Sequence, residues 1–319
     1  MNTLAVDFGG KRIKLGLVAN GAVLAQAVLL SRADEQLQTQ LGAVAGALKQ
    51  LCQQSGMELG ACAGVAFAYP SIIDVARARI LDHFDKFGDV GSLDLRAWAQ
   101  EQLGLPLVID NDARLALVGE WRYGAGIGCQ NVVMVTLGTG IGVSVVIEGR
   151  LLRGVHGQAG ILGGHLTANY DGHACVCGSI GCAEAEASTW ALERLTREAP
   201  EFKGSALIRE PALDFAAVFR LASQGDACSM ALRNHCLRVW SALAVSLIHA
   251  YDPEMLIFGG GVMGSAETIL PAVRDYVERH AHTPWGKVRV VASSLGDQAA
   301  LLGCEWLLRE QIAKEVKGE

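Results

Sequence analysis

The chain has 319 residues, of which 51% are hydrophobic, 19% charged and only 6% aromatic, with 38 glycines and a net charge of -6. That is ample apolar material for one large or two ordinary α/β domains rich in tight strand-to-helix turns, and it excludes a disordered or fibrous chain. The acidic balance, with no basic cluster, excludes a nucleic-acid partner, which calls for a basic surface.

Leu4-Ala5-Val6-Asp7 reads as a strand, followed by the turn Phe8-Gly9-Gly10-Lys11. Ile13 to Val18 and Val23 to Leu29 read as further strands joined at Asn20-Gly21, a strong hairpin signal. From Asp34 to Gln54, apolar residues at Leu37, Leu41, Val44, Leu48 and Leu51 keep the spacing of one helix face. Gly64 to Ala68 is an apolar strand that ends at Tyr69-Pro70, a helix covers Leu95 to Gln102, and Leu107 to Asp110 is a buried strand followed by a helix from Ala113 to Tyr123. The segment Gly124-Ala125-Gly126-Ile127-Gly128 reads as a hinge or domain border.

After it the plan restarts with a strand from Val132 to Leu137, the turn Gly138-Thr139-Gly140-Ile141-Gly142, a strand from Val143 to Ile147 and the turn Glu148-Gly149. A long helix from Met230 to Ala250, a strand from Met255 to Phe258 and the turn Gly259-Gly260-Gly261 follow, and a last helix from Gln298 to Ala313 is expected to return to the first domain. Two halves on one plan predict a duplicated α/β fold with a cleft between them. The expected division is 1–122, completed by a C-terminal helix at 304–319, and 123–303, with a metal loop at 165–182.

His165 is followed by Cys175, Cys177 and Cys182 in the run Cys-Val-Cys-Gly-Ser-Ile-Gly-Cys. Three thiols and one imidazole supply the closed tetrahedral shell that structural zinc requires, and Gly178 and Gly181 let so short a loop fold back on the ion. The alternative is three buried free thiols beside a core histidine; a Cys175–Cys177 disulfide is disfavoured by their closeness in sequence. The remaining cysteines (Cys52, Cys62, Cys129, Cys228, Cys236 and Cys304) are scattered, and the total of nine is odd, as for reduced cytosolic thiols. With no leader-like segment and no apolar run near the roughly 20 residues that span a bilayer, the sequence reads as cytoplasmic, without a membrane partner.

Glycine turns after buried strands let backbone N–H groups approach a phosphate, because no side chain intervenes. The turns at Asp7 to Gly10, Gly138 to Gly142 and Gly259 to Gly261 fit a nucleotide held between two domains, although each alone is also an ordinary tight connection. None carries the Gly-Lys-Ser/Thr ending of a Walker loop. Asn111-Asp112 closes an apolar strand and opens a helix, so it suits a helix cap. It equally suits a general base, Asp112, taking a proton from a substrate hydroxyl that Asn111 orients, since phosphoryl transfer asks the protein mostly for positioning and charge.

These residues resemble the ROK sugar kinases of the actin-like ATPase superfamily. The most specific parts are the Cys-x-Cys-Gly-x-x-Gly-Cys loop with His165, the run Asn111-Asp112-Ala113 and Leu137 to Gly142, with Asp252-Pro253-Glu254 and Ile257 to Gly261 as an adenosine-side segment. The resemblance covers essentially the whole chain and implies an actin-like (ribonuclease H-like) two-domain α/β fold with a central cleft. It implies an ATP-dependent kinase acting on the hydroxyl, most simply the 6-hydroxyl, of a hexose or hexose derivative. Asp112 would be the base and Asn111, His165 and Glu184 sugar ligands. Asp7 (near magnesium), Gly9, Gly10 and Lys11 would form the first phosphate loop, Gly138, Thr139 and Gly140 the second, with Gly260 and Gly261 beside the nucleotide. Domain closure would exclude water, and a homodimer or higher oligomer is implied.

Three departures bear on the substrate. Lys11 stands where the family carries threonine, positioned to meet a phosphate or to point into solvent. Ile161 and Leu162 stand where glucokinase-like members carry a sugar-binding glutamate before the histidine. The stretch His83 to Phe87 offers Asp85 and Lys86 in place of a sugar-binding asparagine. A lost polar partner changes discrimination because an unpaired polar group costs ~1–3 kcal/mol, so the sugar need not be glucose. His156 and His173 read as surface or supporting residues, Glu120 as solvated or part of a hinge, Glu186 as carrying little signal, and Trp121, Trp190 and Trp240 as core. The same family includes sugar-sensing repressors with a DNA-binding segment ahead of the first loop; with six residues before Asp7, that role is expected here only through a partner.

Overall fold

The computed structural model describes residues 1–32, 35–82 and 87–317. Asp34, Asp85 and Lys86 therefore lie outside the described residues. Packing divides the chain into two units: Met1–Gly128 with Arg153–Ala159 and Ser294–Glu319, and Cys129–Leu152 with Gly160–Ser293. The sequence boundary at 122/123 thus differs from the packed one, and a short segment after the second unit's hairpin belongs with the first.

In the first unit, β1 (Asn2–Phe8), β2 (Arg12–Ala19) and β3 (Ala22–Leu30) form an antiparallel meander. Asn20 and Gly21 have φ of 53° and 76°, the positive values that a two-residue hairpin of this twist needs. Their amides each donate 2.8 Å bonds to the fully buried Glu305 carboxylate. Helix α1 (Leu37–Gln54) buries Leu41, Val44, Leu48 and Leu51 in one core with Leu4, Val6, Phe8 and Phe67. The chain continues through β4 (Gly64–Tyr69), the small pair β5 (Ile73–Asp74) and β6 (Arg79–Ile80), α2 (Leu95–Leu103), β7 (Leu107–Asn111) and α3 (Asp112–Tyr123). The sheet order is β3-β2-β1-β4-β7, with β4 and β7 parallel to β1.

The second unit repeats this order. It comprises β8 (Val132–Leu137), β9 (Ile141–Ile147), β10 (Arg150–Leu151), α4 (Ala183–Ala187), α5 (Leu192–Glu198), α6 (Phe215–Ser223), α7 (Ala227–Tyr251), β11 (Met255–Gly259), α8 (Ala266–His280) and β12 (Arg289–Ala292). Its sheet runs β10-β9-β8-β11-β12, again two antiparallel pairings followed by two parallel ones. Trp240 of α7 is fully buried among Phe215, Phe219, Leu243 and Leu256.

Helix α9 (Ala299–Lys317) packs in the first unit against α3 and over Ala5, Ala66 and Ala68. The two helices approach through glycines. A Cβ at Gly119 would fall 2.0 Å from the Ala299 carbonyl oxygen, and one at Gly303 2.0 Å from that of Leu115. Among the described residues, no helix is long and apolar enough to cross a membrane.

Asp226 caps α7 and supplies a pH-dependent part of the stability. Burial pushes its carboxyl up, but bonds from the Ser229 and Ala206 amides and the Ser229 and Ser205 hydroxyls overcome this and bring the pKa to about 2. The folded value lies below the unfolded one, so this contribution is complete above pH ~4 and fades as pH falls toward 2. Asp226→Asn should cost about 1–2 kcal/mol at pH 7 in urea unfolding, discounted for partial exposure, and clearly less at pH 3. An equal cost at both pH values would contradict the ionic part.

Candidate active site

Asp7 is the buried penultimate residue of β1. The turn that follows is closed by Gly9, whose amide donates 2.9 Å to the Arg12 carbonyl; a Cβ there would meet the same oxygen at 2.8 Å. Lys11 is exposed. The antiparallel register sets Lys14 directly opposite Asp7, so both side chains leave the same face of the sheet. Lys14 Nζ lies 3.2 Å from Asp7 Oδ2 and 2.9 Å from Asp297 Oδ1, with Arg12 3.6 Å from the other Asp297 oxygen.

Burial raises the Asp7 carboxyl above its ordinary range, only partly offset by Lys14. The Lys14 amine is also raised, Asp7 and Asp297 outweighing the effect of burial. A carboxylate already facing an ammonium suits a magnesium ion held mostly by phosphate oxygens and water, the usual arrangement for this cation. Neither Lys14 nor Asp297 was given a role from the sequence. The strand register that joins Lys14 to Asp7 could have been read from the short turn between β1 and β2.

At the β7–α3 corner, Asn111 caps α3 and bonds the neighbouring Asp112. Asn111 Oδ1 accepts from the Arg114 amide at 3.0 Å, as the cap of α3, and its Nδ2 donates to the Ser71 carbonyl and to Asp112 Oδ1, both at 3.1 Å. Asp112 Oδ1 also accepts from the Ala113 amide at 2.8 Å. A half-buried carboxylate is thereby fixed in the first turn of a helix.

Behind it lies a network that sequence reading missed. Asp110 is fully buried and accepts from Arg114 Nη1 at 2.7 Å and Arg153 Nη2 at 2.6 Å, and Arg114 Nη2 donates to the Gly157 carbonyl at 2.7 Å. Asp110 Oδ1 also accepts from the Asn111 amide at 2.8 Å. The pairing satisfies a carboxylate whose isolated burial would be prohibitive, and it ties Arg153–Ala159 to this corner.

Glu120, expected as solvated or part of a hinge, is fully buried, which excludes the first of these roles. It accepts from the Ala125 and Leu295 amides at 2.8 Å each and from Ser294 Oγ at 3.0 Å. One carboxylate thus fastens both the glycine-rich segment after α3 and the segment leading to α9.

In the second unit, the turn after β8 is closed by the Gly138 amide donating 3.0 Å to the Gly140 carbonyl. Gly260, at φ 90°, lies against Leu137, where a Cβ would sit 2.3 Å from the carbonyl oxygen. This sets the Gly260–Gly261 turn beside the start of Gly138-Thr139-Gly140. Glu184 lies in the first turn of α4, and its carboxylate accepts from the Ile141 amide at 2.8 Å and from Trp190 Nε1 at 3.0 Å. Trp190 is therefore not simply core; it is half-buried and engaged with the same carboxylate.

The ligand atoms of His165, Cys175, Cys177 and Cys182 all lie within 4.8 Å of one another. Cys175 Sγ is 3.4 Å from His165 Nδ1, and Cys177 Sγ is 3.6 Å from Cys182 Sγ. Tetrahedral zinc with bonds of about 2.0–2.3 Å separates its donors by roughly 3.4–3.8 Å, so the donor set fits zinc in chemistry and in spacing. The loop is braced by Glu186, fully buried, which accepts from the His173 amide at 2.7 Å and faces the His173 ring at 2.8 Å. His173 also meets Glu198 at 2.8 Å, whereas His156 is exposed.

Two α/β units on one sheet plan, glycine turns after β1, β8 and β11, and a Cys3His loop define a class of protein, and comparison with known proteins agrees. The chain matches the ROK family model over residues 3–311 and belongs to that family. It is 30% identical to the glucokinase of Thermotoga maritima over 98% of both chains. A ROK family glucokinase from Streptomyces griseus, solved in complex with glucose and AMPPNP, superposes with a TM-score of 0.82 at 30% identity, covering 97% of this chain and 100% of that one. The xylose repressor of Bacillus spizizenii is 27% identical over 80% of this chain and 63% of its own length. The fold is the actin-like ATPase fold that the sequence resemblance implied.

Proposed function

We propose that this chain transfers the terminal phosphoryl group of ATP to the 6-hydroxyl of a hexose or hexose derivative, with Asp112 as general base. The coarser class, an ATP-dependent sugar kinase, is carried by its ROK membership together with full-length similarity to glucokinases. The observation that carries the finer reading is the fixed Asp112 carboxylate at the head of α3. A hydroxyl beside this carboxylate gives it a proton as the oxygen attacks the γ-phosphorus in line and ADP leaves. Asn111 holds the carboxylate's orientation; His165 and Glu184 bind sugar hydroxyls.

The amides and small residues of Gly9-Gly10 and Gly138-Thr139-Gly140 receive phosphate oxygens, and Gly260-Gly261 lies on the adenosine side. Asp7 would hold the magnesium that accompanies ATP, which would supply charge neutralisation at the phosphates. Zinc held by His165, Cys175, Cys177 and Cys182 keeps the sugar-side loop in shape. We also propose a cytoplasmic homodimer or higher oligomer.

Ile161 is buried and Leu162 half-buried ahead of the tightly packed Gly163-Gly164 pair. A Cβ at Gly164 would fall 1.9 Å from the Ile141 carbonyl oxygen, so this position admits no side chain. An apolar wall there favours a hexose derivative over one presenting a hydroxyl that needs a carboxylate. The repressor relatives support a second reading, a sugar-responsive regulator with little turnover.

The position of transfer is tested by phosphorus NMR of the product from whichever hexose turns over. A phosphate on the 6-carbon couples to two methylene protons and gives a triplet. A doublet, from a ring carbon bearing one proton, would contradict the assignment.

A further inference from the structure

Within the second unit, the sugar-side carboxylate and the second phosphate loop are built as one body, with Trp190 at their junction. The Trp190 amide donates 3.1 Å to the Thr139 carbonyl, and the neighbouring Thr189 amide donates 3.2 Å to that of Gly138. From the other side, Glu184 reaches the same loop through the Ile141 amide at 2.8 Å. It is packed so closely that a Cβ at Gly140 would lie 2.4 Å from Glu184 Oε2.

The indole N–H of Trp190 holds the remaining Glu184 oxygen at 3.0 Å. Its ring packs on Cys175, Cys182 and Ala185 of the metal loop and its adjoining helix. The Arg194 guanidinium stands 5.8 Å from the ring centroid, itself anchored to the Ala185 carbonyl at 2.6 Å. A tryptophan whose backbone, N–H and ring face each serve a different part of the unit is placed to set geometry rather than to fill space.

We infer that Trp190 is a positioning residue for the second phosphate loop, acting through the Thr139 carbonyl and through Glu184, and that Glu184 therefore supports nucleotide binding as well as sugar binding. This rests on the reading of Gly138-Thr139-Gly140 as a phosphate loop given above. The physical basis is that an indole donor keeps the Glu184 carboxylate turned toward the Ile141 amide. Without it, that carboxylate can rotate and the loop loses a charge-assisted bond, the stronger class of hydrogen bond. A preorganised loop binds more tightly because less freedom is lost on binding.

The test uses the full-length, zinc-loaded chain and its Trp190→Phe and Glu184→Gln variants. AMPPNP affinity is measured with magnesium by calorimetry in the absence of any sugar, and amide hydrogen exchange is followed over residues 138–141. Trp190→Phe keeps an aromatic ring and the backbone bond but removes the donor. Glu184→Gln keeps the shape and removes one acceptor.

Both variants should bind AMPPNP about tenfold more weakly, and exchange at Gly140 and Ile141 should quicken. A carboxylate serving sugar alone would leave both readouts unmoved in sugar-free protein, so parental affinity and parental exchange in both variants would overturn the inference. Circular dichroism and zinc content establish folding, and if Trp190→Phe does not fold, the isosteric Glu184→Gln decides. Failure of the kinase reading looks different: the parent would not bind AMPPNP at all, while loop exchange would still decide the positioning claim.

Discussion

Asp112→Asn should lower kcat by about 10²–10⁴-fold while changing the apparent sugar affinity little. That is the range expected when a general base is replaced by a group that cannot take a proton. Asparagine is nearly isosteric, and its carbonyl oxygen can still accept the 2.8 Å bond from the Ala113 amide that the carboxylate accepts. The cap of α3 is supplied by Asn111 and is untouched. Folding stability should therefore change by less than about 1 kcal/mol, the worth of one ordinary hydrogen bond. The effect appears as a fall in kcat and kcat/KM together, as for an interaction made only in the transition state. Steady-state rates at saturating sugar and ATP provide the measurement, and an unchanged kcat would remove Asp112 from the mechanism.

The second large effect is expected at the metal loop. Burial pushes the Cys182 thiol up to about 12 and raises that of Cys175, and the nearby sulfurs add to the rise at Cys182. A divalent cation at their centre reverses this by pairing with the thiolates. Cys177→Ser leaves a hydroxyl, a poor zinc ligand, in place of one of four. Zinc affinity should fall by at least about 100-fold, the upper end of what losing even an outer partner costs.

The variant should emerge from chelator dialysis with most of its zinc gone and a lower melting temperature. Apparent sugar affinity should weaken too, since His165 and Glu184 sit on segments that the loop fixes: Cys182 Sγ contacts the His165 carbonyl at 3.3 Å, and the Ala183 amide bonds Leu166 at 3.0 Å. Elemental analysis decides it; a full zinc complement in Cys177→Ser would contradict the metal assignment.

The legible part of this chain was the part written in local pattern. The Asn20-Gly21 hairpin, the apolar strands β1, β4, β7, β8 and β11, the long α7 and the Cys3His loop each carry their signal within a few residues. Helices α4 and α5 span only five and seven residues, too few turns for a period to show. Helix α8 contains Pro271, which reads as a breaker although the helix continues through it.

At the site, residue types were visible but partnerships were not. Glu120 looked like one more acidic residue on a helix, and only the return of Ser294-Leu295 to the end of α3 makes it a buried acceptor. Lys14 depends on strand register, Arg153 on a segment 43 residues from the Asp110 it pairs with, and Trp190 on a loop about fifty residues earlier in the chain. The last two contacts join stretches that no local period connects, so composition and spacing could offer only core or surface for them, whereas Lys14 lay within reach of the hairpin register.

The most direct measurement is ADP release from magnesium-ATP across a panel of hexoses, amino-sugars and ketoses. The account predicts sugar-dependent ADP formation with one or a few members of the panel and none without sugar. No sugar-dependent ADP with any member, while the same sugars raise the melting temperature, would contradict the kinase and leave a sugar-binding regulator.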